Sequence, residues 1–411
     1  MQPDIRRSVD AVWRIESARI VATLTRVTGD LGLAEDLAQE AVVDALVQWP
    51  ESGVPANPGA WLTAVAKRKA IDRWRRDTSL DRRYRAMAHE ADEAGEDEWQ
   101  AIDDDVLRLV FITCHPALSR ESQVALTLRV VGGLTTEEIA RMLLVPVPTV
   151  QQRIVRAKKT LAAARVPFEA PEADEWTDRL AGVLAVVYLV FTEGYAATAG
   201  DRWIRHDLAR EALRMGRVLV GLLPREPEVH GLLSLMELQA SRFRSRIAPD
   251  GSAVLLADQD RSRWDHAQIE RGRELLRHVD EIGRGRGSYA LQAAIAECHA
   301  VAASVQETDW GHVVVLYEAL GRLAPSPVVD LNRAVAVSMA GDTVEALGIV
   351  DALAAAGSLR GSHLLPSVRG ELLTRLGRVD EARSELLTAA GLTRNDRERE
   401  VLTAKAAALR P

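Results

Sequence analysis

The sequence predicts an all-α fold with several domains in series. Ala, Leu, Val, Arg and Glu dominate its 411 residues, while aromatic residues make up only 4%, and this composition favours helices over sheets. Apolar residues recur at helical spacing along most of the chain. A chain of this length is enough for two to four domains, each with a core of its own. With 47% apolar and 27% charged residues, it is typical of folded globular proteins.

Three features of the sequence bear on where the chain works. Cys114 and Cys298 are its two cysteines, too few for a disulfide framework, which favours a reducing cytoplasm. The first residues lack the apolar core of a signal peptide. The longest apolar run, residues 180–191, is shorter than the roughly 20 residues that a membrane span needs. We therefore expect a cytoplasmic chain without a membrane partner, and a buried helix over this run.

Charge is distributed unevenly along the chain. The net charge is −7, but residues 86–105 carry nine acidic side chains and no Lys or Arg. Residues 106–165, in contrast, carry nine basic and three acidic side chains. A short basic module inside an acidic chain indicates that only a small part contacts nucleic acid.

Residues 1–85 predict three or four helices. The first is expected over about residues 8–28 and the second over about residues 33–49. Pro50 is expected to end the second helix, ESGVPANPG forms a loop, and a third helix follows over about residues 59–76. The apolar stripe of the first helix consists of Val9, Val12, Trp13, Val21 and Leu24, and the inner face of the second consists of Leu37, Ala38, Ala41, Ala45, Leu46 and Trp49.

The next two segments differ in character. Residues 86–105 are acidic with little periodicity and predict a flexible linker. Residues 106–166 contain the turn signals HPALS, GGLTT and VPVP, which predict four short helices. Thr135 with Glu138 predicts a capping box, and Thr149 with Gln152 is a candidate for another. A helix of about ten residues, a short turn and a basic helix are typical of a helix-turn-helix.

From residue 167 to residue 411 the pattern is helical. GDTVEAL from Gly341 and GRVDEAR from Gly377 form a weak internal repeat, offset by 36 residues. Small residues at a helix crossing followed by Glu-Ala resemble tetratricopeptide helix pairs, whose repeat is about 34 residues. WGHVVVLYEAL from Trp310 is a candidate first helix of another unit.

The second and third helices carry the most informative polar residues. The face of the second helix opposite its apolar residues consists of Asp36, Gln39, Glu40 and Asp44. For an isolated helix, a solvated surface is the default interpretation of such a face. The third helix has six cations in ten residues, a surface that can neutralise phosphates. Trp61 and Trp74 lie among them and could stack on an unpaired base, although we expect both in the core.

Taken together, these segments resemble a known family. AEDLAQEAVVDAL, AWLTAVAKRKAIDRWRR, the acidic linker and TTEEIARMLLVPVPTVQQRIVRAKKTL look like regions 2 and 4 of extracytoplasmic-function sigma factors. CHPAL, LVFTEGYAA, DQDRSRWD and LAPSPVVDLNRAVAV resemble the subgroup with a tetratricopeptide-like extension. The resemblance implies promoter-specific transcription initiation. It also implies four parts: region 2 (1–85), an acidic linker (86–105), region 4 (106–166) and a regulatory extension (167–411).

The resemblance implies core RNA polymerase and promoter DNA as partners. Region 2 would dock on the clamp helices of the largest subunit, and region 4 on the flap of the second-largest. The acidic stretch that docks on the clamp corresponds to Glu35, Asp36, Gln39 and Glu40. The part that opens the minus-ten element and captures a flipped base corresponds to a pocket around Asn57 and Trp61. Its cations are Lys67, Arg68, Arg73, Arg75 and Arg76.

The helix-turn-helix corresponds to the reader of the minus-thirty-five element. Arg and Gln side chains reach base edges in the major groove, and Lys side chains lie near phosphates. The residues implied are Thr149, Gln151, Gln152, Arg153, Arg156, Lys158 and Lys159. Many relatives have Gly at the positions of Leu144 and Pro148, and Asn at that of Arg68. These departures bear on the promoter sequence rather than on the function.

Two other classes of function compete with this interpretation. An enzyme in the C-terminal half would use the polar cluster DQDRSRWD from Asp258, but no spacing there matches a metal site or a nucleophile elbow. We expect a buried, salt-bridged turn there, without catalysis, cofactor or metal. A helix-turn-helix regulator with a tetratricopeptide-like sensor would explain residues 106–411 but not residues 1–85. The extension itself is expected to bind a protein or peptide and to tune access to polymerase.

Overall fold

A computed structural model describes residues 5–76, 97–143, 145–195, 206–246, 254, 256–393 and 396–409. Every regular element within these residues is helical, which confirms the predicted all-α fold. The chain divides into two compact units, Met1–Val190 and Phe191–Pro411.

Three long helices open the first unit: α1 (Ile5–Thr28), α2 (Leu31–Ser52) and α3 (Pro58–Arg76). Two details predicted for α2 are wrong. The helix continues through Pro50 to Ser52. A proline removes only one backbone hydrogen bond, and the last turn of a helix tolerates this loss. Leu46 is 38% exposed and not part of the inner face, because it lies roughly 100° around the helix from the buried Ala45.

These three helices share one core. α1 packs against both α2 and α3, and α2 packs against α3. Asp30 fixes the start of α2, because its Oδ1 accepts a hydrogen bond from Leu33 N at 2.9 Å. The core side chains include Val21, Leu24, Leu37, Trp49, Leu62 and Ala66. Burial of these faces fixes which sides of α2 and α3 remain available to partners.

Four helices follow: α4 (Asp97–Thr113), α5 (Arg120–Val130), α6 (Thr136–Leu143) and α7 (Val147–Ala163). The predicted capping box of α6 is confirmed. Glu138 N donates to Thr135 Oγ1 at 3.1 Å, and Thr135 N donates to Glu138 Oε2 at 2.9 Å. The second candidate box is wrong, because α7 begins at Val147 after Pro146, which makes no side-chain cap. Proline is favourable in a first helical turn, so Pro148 lies inside the helix.

The predicted acidic linker differs from the structure in its second half. Residues 86–96 lie outside the described residues, as does Leu144, whereas α4 already begins at Asp97. Acidic residues are favourable at a helix N-terminus, which explains why this part is helical. α4 packs along α1, where the buried Asp105 pairs with Arg26 at 2.8 Å and with Arg108 at 2.7 Å. Burial raises the pKa of Asp105, and the two arginines offset this only in part.

The apolar run at residues 180–191 lies in α8 (Trp176–Tyr195), where most of its side chains are buried, as predicted. The start of α8 is part of the first unit. The ring of Trp176 lies 5.2 Å from that of Phe111 on α4, and Arg179 Nη2 donates to Phe111 O at 3.2 Å. None of the helices in the described residues is both long enough and apolar enough to cross a membrane.

The second unit continues as a series of helices. They are α9 (His206–Leu222), α10 (Pro227–Ala240), α11 (His266–Ile282), α12 (Ser288–Val301), α13 (Trp310–Leu323), α14 (Pro327–Met339), α15 (Thr343–Ala355), α16 (Leu364–Arg375), α17 (Val379–Leu392) and α18 (Asp396–Ala408). α10 packs against α9, α11 and α12, and 12 of its 14 residues are buried. Its buried Glu237 pairs with Arg217 at 2.6 Å and with Arg271 at 3.3 Å, which ties α10 to α9 and α11.

Gly231 lies at a close approach between α10 and α12. A Cβ atom at this position would lie 2.6 Å from the backbone nitrogen of Ala290. We therefore expect Gly231→Ala to lower the free energy of unfolding by about 1–2 kcal/mol, because overpacking outweighs the gain in helix propensity. Gly221→Ala on α9 is the control, since nothing lies within 4 Å of its added Cβ. Urea unfolding measures both variants, and equal stability of the two would contradict the close approach.

The later helices repeat one local arrangement. From α13 to α18 each helix packs against the next along the chain. Gly341 and Gly377 have positive φ angles of 118° and 73° and form the turns before α15 and α17. The two copies of the weak sequence repeat therefore begin equivalent helices. Many helical repeats share such a turn, so the tetratricopeptide-like character stays a prediction.

Candidate nucleic-acid and polymerase interface

The outer face of α2 presents both acidic and apolar side chains. Asp36 and Glu40 are exposed, and Gln39 is half-buried beside them. Val43 and Val47 continue the same face and are 58% and 68% exposed. The sequence analysis did not include these two valines. Val43 lies four residues after Gln39 and Val47 lies seven residues after Glu40, and both spacings place the valines on this side of the helix. An acidic face that continues into exposed apolar side chains is suited to a protein partner that carries cations.

Glu35 does not share this exposed face. It is 5% exposed and forms ion pairs with Arg129 Nε at 2.6 Å and with Lys158 Nζ at 2.5 Å. Burial alone would raise the pKa of Glu35, but the charges of Lys158 and Arg129 outweigh it and hold the pKa below its usual value. The structure therefore places one predicted docking residue in contact with α5 and α7.

The first turn of α3 holds the two residues predicted to form a base pocket. Asn57 Oδ1 accepts a hydrogen bond from Ala60 N at 3.0 Å, so Asn57 caps α3. The half-buried Trp61 contacts Trp49 edge-on, with ring centroids 5.4 Å apart. Both residues thus have a structural role, and Trp61 lies half-buried at the edge of the core and not inside it.

The cations of α3 divide into two groups. Arg68 and Arg73 are exposed and Lys67 is half-buried. Lys69 instead forms ion pairs across to α2, with Asp44 at 3.0 Å and Glu40 at 3.7 Å. The side chains of Trp74, Arg75 and Arg76 lie outside the described residues. Lys67, Arg68 and Arg73 thus lie on different sides of α3, because successive residues of a helix are about 100° apart.

The helix α7 has one apolar and one polar face. Val150, Ile154, Ala157 and Leu161 are buried against the rest of the first unit. The opposite side borders an open groove of about 600 Å³. The groove is lined by Pro148, Gln151, Gln152, Val155, Arg156, Lys159, Thr160 and Ala163.

Of the residues predicted to read the minus-thirty-five element, most lie on this polar face. Gln151, Gln152, Arg156 and Lys159 are exposed, whereas Thr149 and Arg153 are half-buried. Lys158 points to Glu35 instead. Val155 is 50% exposed among these polar residues. The sequence analysis did not name it as a DNA contact, because only polar side chains were considered for that role.

The polar cluster at residues 258–265 connects α11 to the end of α12, and the expected buried turn is wrong, because Asp258, Asp260 and Arg263 are exposed. Asp265 caps α11 by accepting a hydrogen bond from Gln268 N at 3.0 Å. Arg261 Nη1 donates to the carbonyl oxygens of His299 and Ala302 at the end of α12, and its guanidinium lies over Trp264 at 4.8 Å. Among the described residues, no three His, Cys, Asp or Glu side chains are arranged to hold a metal ion.

His299 on α12, whose carbonyl oxygen accepts the hydrogen bond from Arg261, is expected to make the stability of the second unit depend on pH. Burial, with the nearby charges of Arg242 and Arg261, lowers the pKa of His299 from 6.5 to about 4. Between these values the unfolded chain binds a proton that the folded chain does not, so the free energy of unfolding falls as the pH falls. The slope is about 1.4 kcal/mol per pH unit for one proton. Denaturation between pH 7 and pH 5 measures it, and His299→Gln should make it shallower. An unchanged slope would exclude this origin.

Three family models match the chain. Sigma-70 region 2 matches residues 14–79, and Sigma-70, region 4 matches residues 108–161. A family of unknown function, DUF6596, matches residues 179–280. The first sigma model matches from within α1 to beyond α3, and the second from within α4 to within α7. These helices carry the surfaces described above, and the third model covers the first part of the extension.

Similar proteins agree with these matches. An uncharacterized protein of Rhizobium meliloti (strain 1021) is 43% identical over 392 residues, which cover 92% of this chain and 90% of that protein. The probable ECF RNA polymerase sigma factor SigI of Mycobacterium tuberculosis is 28% identical over 165 residues, 38% of this chain and 56% of that protein. The ECF RNA polymerase sigma factor SigC of the same species is 29% identical over 164 residues, 40% of this chain and 82% of that protein. The chain therefore carries sigma-70 regions 2 and 4 and is an ECF-like RNA polymerase sigma factor for promoter-specific transcription initiation, with a C-terminal DUF6596 domain.

Proposed function

We propose that α2 is the surface on which the chain docks to the clamp helices of the largest polymerase subunit. The observation that carries this proposal is the exposed face of Asp36, Gln39 and Glu40, continued by Val43 and Val47. Acidic groups steer the surface towards cations of the clamp, and exposed valines add apolar area that is buried on docking. Region 4 would contact the flap of the second-largest subunit.

The minus-ten element would be held by α3 and the loop before it. Lys67, Arg68 and Arg73 supply cations for phosphates, and Arg75 and Arg76 continue the same helix in sequence. A base leaving the duplex needs a surface to replace its stacking, and the pocket around Asn57 and Trp61 is our candidate. The cap made by Asn57 supports this role, since it holds the start of α3 in a fixed position.

The minus-thirty-five element would be read by the polar face of α7. Gln151, Gln152 and Arg156 have the side chains that reach adenine and guanine edges in the major groove. Lys159 would contact phosphates, and Thr149 and Arg153 would contribute from the edge of the face. Its groove is open and carries no acidic lining residue, which suits a polyanionic partner.

The extension would act as a regulatory helical-repeat domain of tetratricopeptide-like character. The sequential packing of α13–α18 supports this, because helical-repeat surfaces commonly bind proteins or peptides. Partnership with polymerase also supports a cytoplasmic location, and a regulator of this kind needs no catalytic centre and no cofactor.

Reconstitution with bacterial core polymerase tests these assignments. Run-off transcription on fragmented genomic DNA of the host should give discrete, chain-dependent start sites that share upstream sequences. A shortened chain ending at Tyr195 keeps the contact of Trp176 with Phe111 and tests the extension. Unchanged rate and regulation in that chain would exclude a regulatory extension. Binding of neither form to core polymerase would exclude the docking surface on α2.

A further inference from the structure

We propose that Val155 is a specificity-determining residue, which reads the C5 methyl group of one thymine in the minus-thirty-five element. The inference rests on the proposed role of α7 as the reader of that element. The methyl group of thymine is the apolar group that base edges present in the major groove. An apolar side chain on the reading face therefore has one matching partner among the four bases.

Val155 lies in the middle of the groove along α7. The residues that line the groove run from 148 to 163 and follow helical spacing. Gln152 lies three residues before Val155, and Lys159 lies four residues after it. Side chains at these spacings are neighbours on a helix surface, with Cβ atoms roughly 5–6 Å apart. Val155 thus lies between a proposed base reader and a proposed phosphate contact, and it faces the same stretch of DNA.

Neither the core nor the helix itself accounts for a valine at this position. Val150, Ile154 and Leu161 belong to the buried face of α7, whereas Val155 is 50% exposed. Valine is also a weaker helix former than alanine, because its branched side chain loses χ1 freedom. A single exposed valine is ordinary on a protein surface. Val155 differs from that case, because its neighbours in the groove are side chains suited to nucleic acid.

The shape of valine suits this contact. A β-branched residue in a helix has one strongly preferred χ1 rotamer, so the two methyl groups of Val155 are held in place before DNA binds. Little side-chain entropy is therefore lost on contact. Cytosine lacks the methyl group and presents an amino group, from which valine cannot accept a hydrogen bond. Thymine is thus favoured at this point, and cytosine is disfavoured.

The contact adds discrimination without adding charge. Lys159 attracts phosphates of any sequence, and that attraction weakens with salt because counterions are released on binding. Burial of a methyl group against Val155 releases no ions. Loss of this contact should lower the affinity by the same factor at every salt concentration, which distinguishes it from loss of a phosphate contact.

Replacement of thymine by deoxyuridine tests the proposal, because it removes the methyl group and leaves base pairing intact. The full chain is reconstituted with core polymerase, on a promoter located by run-off transcription. Each thymine of the minus-thirty-five element, on either strand, is replaced in turn. The affinity of the holoenzyme for each duplex is measured at two salt concentrations, for the wild type and Val155→Ala. Val344→Ala, the same change at a residue of α15 that is 71% exposed, is the matched control.

We expect deoxyuridine at one position to weaken binding by the wild type about fourfold, the factor to which burial of one methyl group corresponds. Val155→Ala should bind the unmodified promoter about fourfold more weakly. It should show no further loss with deoxyuridine at that position, because the two changes remove the same contact. Neither loss should alter the salt dependence of binding. Val344→Ala should respond as the wild type does.

Two results would overturn the methyl contact. One is that no deoxyuridine weakens binding by the wild type, and the other is that Val155→Ala keeps the wild-type response. Gln152→Ala separates this failure from failure of the reading face. If Gln152→Ala loses discrimination at a base pair while deoxyuridine has no effect, α7 reads the element and Val155 does not. If neither Gln152→Ala nor Val155→Ala changes promoter discrimination, α7 is not the reader, and the function proposed for this face is wrong too.

Discussion

The Asp36→Arg variant is expected to lose about 100-fold or more in affinity for core RNA polymerase while it keeps its fold. Asp36 is exposed on the proposed docking face, so the substitution disturbs no buried group of the chain. Placing a cation against the cations of a clamp costs several kcal/mol, and about 2.7 kcal/mol already corresponds to a hundredfold change. Titration of labelled core polymerase with the variant measures the loss.

Asp10→Arg is the matched control for this variant. Asp10 is an exposed acidic residue of α1, outside the face formed by α2. It should bind core polymerase within about twofold of the wild type, because an isolated surface charge contributes little. Circular dichroism should show the same helix content for both variants. Normal binding by a folded Asp36→Arg variant would place the docking surface elsewhere.

The Arg156→Ala variant is expected to initiate about 10- to 100-fold less well at its own promoters. Arg156 is exposed on the polar face of α7, and loss of a bidentate base contact costs about 1–3 kcal/mol. The defect should be confined to one position of the minus-thirty-five element, where promoters with other bases become equally active. Run-off transcription on promoters with single-base changes measures this loss of discrimination.

Lys159→Ala and Arg165→Ala complete the comparison with Arg156→Ala. Lys159 is a proposed phosphate contact, so its loss should weaken all promoters alike and lower the salt dependence of binding by about one charge. Arg165 is exposed beyond the end of α7, and its loss should change initiation little. If Arg156→Ala behaved as Lys159→Ala does, Arg156 would be a phosphate contact and not a base reader.

The sequence alone was sufficient for features that depend on neighbouring residues. Helical spacing places Asp36 and Glu40 opposite buried Ala38 and Ala45, and the capping box at Thr135 is a local pattern of four residues. Leu46 shows the limit of such patterns, because an apolar residue at the edge of a stripe is assigned to the core as readily as one at its centre.

Contacts between distant residues could not be predicted in the same way. Glu35 and Arg129 are 94 positions apart, and nothing near either residue indicates that they meet. Lys158 was assigned to DNA because it lies in a basic helix, yet periodicity leaves open which neighbour a residue at the edge of a face will contact. The same applies to Gly133, whose close approach to Ser17 depends on how two separate helical groups pack.

The enclosure of α10 has a consequence for how this protein can diverge. A helix with 12 of its 14 residues buried offers few positions at which a substitution is neutral, since nearly every side chain is constrained by three neighbouring helices. The DUF6596 match, residues 179–280, includes this helix. We therefore expect substitutions to be tolerated mainly at the exposed residues of the surrounding helices, while the interior of this segment stays the same.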